Sequence, residues 1–134
     1  MSGTPNYASG VKVGAQTMTL ADAVTAAPTN AVTLITAGAS GSQIERIELT
    51  PLGTVVASVI RIWLYDGSVY HLLFELPLAA YTQALTAVRP TYTAEAVTYP
   101  TLFPILVPTT WSLRASMNDA NAAGVKIIAT GGDF

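Results

Sequence analysis

The sequence predicts an all-β chain: a jelly-roll-like antiparallel β-sandwich of about eight strands, preceded by an extended N-terminal arm. Three observations carry this expectation. From Ala31 onward, β-branched residues and turn signals alternate at the spacing of short strands. No stretch of about twelve residues shows helical periodicity. Eight or so short strands in one domain, joined by loops of uneven length, require two packed sheets or a barrel, and the jelly roll is the form that uses eight. An immunoglobulin-like sandwich is the nearest alternative. It has no Cys pair to support it, because the chain contains no cysteine.

Residues 1–30 mix Gly, Pro, Thr and Ala without a sustained period, and ADAVTAAPTN holds at most a helical turn or two before Pro28. They read as an extended arm, lying across a neighbour in an assembly or fraying as a tail. The sandwich domain occupies 31–134. Ala31 to Ala37 is its first strand, closed by the loop from Gly38 to Gly41. Ile44 to Leu49 follows, with Ile47 and Leu49 on one face and Arg46 and Glu48 on the other. Thr50-Pro51-Leu52-Gly53 turns the chain into a central hairpin, Val55 to Tyr65 and Ser68 to Leu76, which Pro77 ends. Thr86 to Thr98 supplies one or two strands, with Pro90 at an edge or bend. Leu102 to Val107, Trp111 to Met117 and Val125 to Thr130 complete the set.

The 134 residues suffice for one core without disulfide or metal. The opening MSGTPNYASG has neither a basic leader nor an apolar run, so Sec export is not expected and the chain should first fold in cytoplasm. Val55 to Leu64, interrupted by Ser58 and Arg61, is too short for the roughly 20-residue helix that spans a bilayer, so no membrane partner is expected. Net charge is −2 with six scattered Lys and Arg, which offers no basic stripe for direct nucleic-acid binding. Charged residues make up only 10% of the chain against about 25% in a typical soluble domain. Thr, Ser, Asn and Gln fill much of the remainder and cost less to desolvate than Lys or Glu, so the surface suits permanent contact with other molecules.

The hairpin turning at Asp66-Gly67 is the most informative segment. A two-residue turn there pairs Leu64 with Val69, Ile62 with His71 and Ile60 with Leu73 on one face, and Trp63 with Tyr70 and Arg61 with Leu72 on the other. The second face then carries Arg61, Trp63, Tyr65, Tyr70 and Leu72, with the Arg61 guanidinium placed to lie on an aromatic ring. A half-solvated strand alternates apolar with polar, so this face needs a cover. The arm or a loop of the same chain, the second sheet, or a neighbouring subunit could supply it, and the Trp, Tyr and Arg content favours the neighbour. The same aromatic residues also suit sugar stacking, with Trp63, Tyr65 or Trp111 as the platform.

Catalytic groups are sparse, and no enzyme activity or cofactor is expected. His71, the one histidine, is placed by that register in the apolar face. Glu45 and Glu48 fall on opposite faces of a strand and cannot flank a substrate together. Asn118-Asp119-Ala120-Asn121 has one carboxylate, and Asx side chains bonding a reverse turn explain it better than a Ca²⁺ site. GTVVAS and GASGSQ lack the Lys of a phosphate-binding loop. Gly131-Gly132 reads as a flexible bend that sets Asp133 and Phe134 against the body or a neighbour.

Two segments, 44–76 and 106–134, add a resemblance that covers a little under half of the chain. A strand pair turning at Asp66-Gly67 is followed by Leu106, by Trp111-x-Leu113-Arg114-Ala115-Ser116, and by the terminal Gly131-Gly132-Asp133-Phe134. This pattern resembles small virion proteins of tailed bacteriophages, specifically the capsid decoration, or cement, proteins. The resemblance implies a jelly-roll structural protein on the outer surface of the virion head, made in the host cytoplasm, that binds the major capsid protein and stabilises its lattice. Independently of the resemblance, the low charge and the aromatic hairpin face point to a homo-oligomer, with Arg61, Trp63, Tyr65, Tyr70, Leu72, Asp133 and Phe134 as interface candidates. A carbohydrate-binding β-sandwich module of a receptor-binding structure is the alternative, and a small hydrolase a weaker third.

Overall fold

The computed structural model describes residues 10–22 and 27–134. Among these the chain forms nine strands and no helix. They are β1 (Gly10–Met18), β2 (Val32–Thr36), β3 (Ser42–Pro51), β4 (Ser58–Tyr65), β5 (Tyr70–Leu78), β6 (Tyr92–Glu95), β7 (Ile105–Val107), β8 (Ser112–Met117) and β9 (Val125–Asp133). One sheet runs β1-β9-β3, and β6 and β7 share the far edge of β3: β7 lies beside Ser42–Ile44 and β6 beside Arg46–Leu49. The second sheet runs β2-β8-β4-β5. Every pairing is antiparallel, and four of them are nested around the β4–β5 hairpin: β3 with β6 and β7, β2 with β8, and β1 with β9 outermost. The chain is an all-β sandwich, as its alternating pattern predicts.

The core sits between the sheets. Ile44, Ile47 and Leu49 of β3, Ile127 and Ala129 of β9, Ile60 and Ile62 of β4, and Leu113, Ala115 and Met117 of β8 belong to one cluster and are at most 1% exposed. Each Ile or Leu buried this way contributes about 1.5–3 kcal/mol. Alternation places Arg46, Glu48, Lys126 and Thr130 of the same strands outside the cluster.

Part of the expected arm belongs to the sandwich. Gly10–Met18 forms β1 and pairs along its whole length with β9, while the remaining arm residues 1–9 and 23–26 lie outside the described residues. β1 carries two glycines and no continuous apolar alternation, so its sequence signal is weak. Gly14 is there for space: a Cβ added to it would lie 1.7 Å from the Leu34 carbonyl oxygen, where β1 meets β2 at the corner of the two sheets. Asp22 then clasps the passage to β2. Its amide donates to the Met117 carbonyl at 2.7 Å, and its carboxylate accepts from the Thr29 amide and hydroxyl and the Asn30 amide at 2.7–3.1 Å.

The Gly131-Gly132 bend is also corrected, because β9 runs straight through both glycines to Asp133. A Cβ on Gly131 would lie 1.8 Å from the Gln43 carbonyl oxygen, beside the bulge that β3 makes between Ile44 and Arg46. Close approach of two backbones, and not flexibility, accounts for that glycine.

Candidate functional site

The hairpin tip departs from a two-residue turn. Asp66 Oδ1 accepts the amides of Ser68 at 2.8 Å and Val69 at 2.7 Å, and the Asp66 amide donates to the Val69 carbonyl at 3.2 Å. An Asp side chain competing for local backbone donors widens the turn to four residues, with Gly67 at φ 101°. Tyr65 therefore faces Tyr70, Leu64 faces His71 and Trp63 faces Leu72. The pairing has slipped by two residues, which preserves the face of every side chain near the tip. Beyond it a bulge passes Leu73, so Ile62 faces Phe74 and Arg61 faces Glu75, and Phe74 packs against the core beside Tyr99 and Phe103.

On the same face, the slip sets His71 one pair nearer the tip, opposite Leu64 instead of Ile62, where it is exposed and outside the core. Its ring stacks on Trp111 with centroids 5.5 Å apart, and Nε2 lies 3.0 Å from Asp66 Oδ2 on a largely exposed tip. The Asp66 carboxyl is held down to about 2, first by the Val69 amide, then by His71 and the Ser68 amide.

Most of the cover over the second face of the hairpin comes from the chain itself. Trp63 is 2% exposed, with its indole N–H donating to Ser116 Oγ at 2.9 Å and its ring edge-on to Tyr70 at 6.0 Å. Arg61 is buried as well. One of its Nη atoms donates to the Asp22 carbonyl and to Asn118 Oδ1, and Nε lies 3.7 Å from Glu75. Arg61 therefore does not stack on a ring. That role belongs to Arg114, whose guanidinium carbon lies 4.2 Å from the Tyr65 ring centre, while Nη1 donates to the Tyr70 hydroxyl at 2.9 Å and Nε to Ser112. Tyr65 and Tyr70 are half-buried in this stack, and Leu72 remains exposed at 44%. The rings that suit a sugar platform are thus engaged within the chain: Trp63 is buried, Tyr65 lies under Arg114, and Trp111 stacks with His71.

At the C-terminus, the Asp133 carboxylate accepts from the Ser42 hydroxyl and from Lys12 Nζ at 3.0 Å. These two donors, Ser42 first, hold its carboxyl below the usual carboxylate range. The Phe134 amide donates to the Gly41 carbonyl, so both terminal residues are tied to the body.

Besides Val69 and Leu72 on the hairpin, exposed apolar side chains stand in loops and along both borders of the first sheet's outer side. Its cross-strand rows read Val11, Gly132, Gln43, Leu106, then Val13, Thr130, Arg46, Glu95, then Ala15, Ile128, Glu48, Thr93. The β1 border is apolar, with Val11 90% and Val13 59% exposed. The opposite border carries Leu106 and Val97, 59% and 85% exposed, around a groove of about 310 Å³ whose walls include Glu45, Glu95, Phe103 and Pro104. Leu85 and Val88 stand fully outward from the loop between β5 and β6. Isolated valines and leucines in weak or loop-like segments carry no pattern, which is why reading the sequence favours the aromatic hairpin instead.

Comparison with protein-family models, with curated proteins and with solved structures finds no match.

Proposed function

We propose that this chain is a non-enzymatic virion structural protein, a decoration protein that binds the outer surface of a phage head and stabilises the major-capsid lattice. The observation that carries this reading is the combination of 10% charged residues with Val11, Leu85, Val88 and Val97 each at least 85% exposed. A free protein gains nothing from large apolar side chains in water. Repeated across a symmetric lattice, even weak contacts of this kind add to a firm attachment.

The fold we propose for it is the jelly roll. The nested pairing of β1 with β9, β2 with β8, β3 with β6 and β7, and β4 with β5 supports this, since a long antiparallel hairpin folded over on itself yields two four-row sheets in that order. Viral capsid and lectin domains both use such folds. The engaged rings around Tyr65 and Trp111 leave the lectin-like reading without its platform, so the capsid reading is preferred.

Cryo-electron microscopy of the virion that carries this chain tests the proposal. The expected result is density for the sandwich on the outside of the head, touching capsid subunits. Density confined to the tail or to the inside of the shell would refute it.

A further inference from the structure

We propose that the two borders of the first sheet join head to tail, β1 of one copy docking on the β6–β7 border of the next. This rests on the reading that the chain assembles, and it names the surfaces that do so.

The first argument is what guards each edge. Exposed edges are normally blunted by short strands, proline, bulges or charge. β5 carries Pro77 and the bulge at Leu73, β2 has five residues and a bulge at Leu34, and β6 and β7 have four and three residues. β1 has nine residues, no proline and an unbroken register with β9, and no described strand pairs with its outer side. Among the described strands it is the long edge without such a guard.

The second argument is complementarity. Val11 and Val13 project from one border; a groove walled by Phe103 and Pro104, with Val97 and Leu106 beside it, opens at the other. The β1–β9 side carries Lys126 and the groove carries Glu95, and neither has an ion-pair partner among the described residues. Glu45 adds a second negative charge at the groove. Two groove borders facing each other would repel, whereas groove against β1 brings opposite charges together. Direction agrees too. β1 and β6 run oppositely in the sheet, so a neighbour's β6 beside β1 continues the antiparallel alternation. An interface between two different borders of one molecule is heterologous and builds a ring or an open row of copies.

The test uses Val13→Glu, which charges the β1 border, and Val97→Glu, which charges the groove border. Circular dichroism and melting first establish that each variant folds like the parent, with Val11→Glu and Leu106→Glu as replacements if one does not. Light scattering after size exclusion is expected to give an assembly for the parent and a single chain of 14.0 kDa for each variant alone. An equimolar mixture is expected to give a species of two chains that grows no further, because one intact groove meets one intact β1. An assembled Val97→Glu variant beside a single-chain Val13→Glu variant would overturn the proposal in favour of β1 pairing with itself. Variants that assemble like the parent, or a parent that stays single at every concentration, would also overturn it; attachment to the capsid is decided separately by the virion density.

Discussion

Trp63 shows how one side chain changes the meaning of a surface. Its ring fills the outer face of β4 under Tyr70 and Leu72, and its N–H is satisfied by Ser116. Truncating it leaves a cavity and an unpaired hydroxyl, so Trp63→Ala should lower stability by about 3–5 kcal/mol, read as a shifted midpoint in urea unfolding. A residue that instead served a partner would leave that midpoint nearly unchanged. Asp66 makes a second residue-scale prediction. Its carboxyl falls from 3.8 to about 2 in the folded chain, so the order it gives the hairpin tip is complete above about pH 4 and is lost as pH falls through 2. Protection of the Ser68 and Val69 amides, taken relative to the exchange of an unstructured chain at each pH, should fall over that window. Asp66→Asn should remove the pH dependence.

The two close-approach glycines belong to the scale of the element. Gly131 lets β9 pass the bulge of β3, and a methyl group there meets backbone, which has no rotamer to yield. Gly131→Ala should cost about 3 kcal/mol or more, measured by chemical denaturation, whereas Gly10→Ala, with nothing within 4 Å, should cost little. The hairpin illustrates what an element's sequence can and cannot specify. The strands themselves, Ser58–Tyr65 and Tyr70–Leu78, were legible from β-branched and aromatic content. Their register was not, because Asp-Gly suits both a two-residue turn and an Asx-stabilised four-residue loop, and hydrogen bonds from Ser68 and Val69 decide between them. The bulge at Leu73 then inverts the rest of β5, which no local propensity announces.

At the scale of the whole molecule, β1 and β9 close the sandwich from opposite ends of the described chain, and Lys12, Ser42 and Asp133 tie that closure at one end. It also leaves an apolar border beside β1 and another around Val97. The proposed self-association is a property of this arrangement and of no single segment. A strand with bulky residues on both faces needs two covers, which is why the sequence points to the aromatic hairpin, and the chain itself supplies most of the second cover. The sequence by itself determined the all-β class, eight of the nine described strands and the scarcity of charge, since each depends on composition or on a period of two. Only the tertiary structure decided that Asp22, Ser116 and Arg114 cover Arg61, Trp63 and Tyr65, and that Val11, Val13 and Val97 remain outside. Those contacts join residues far apart along the chain, and which of them meet depends on register and bulges that local preference leaves open.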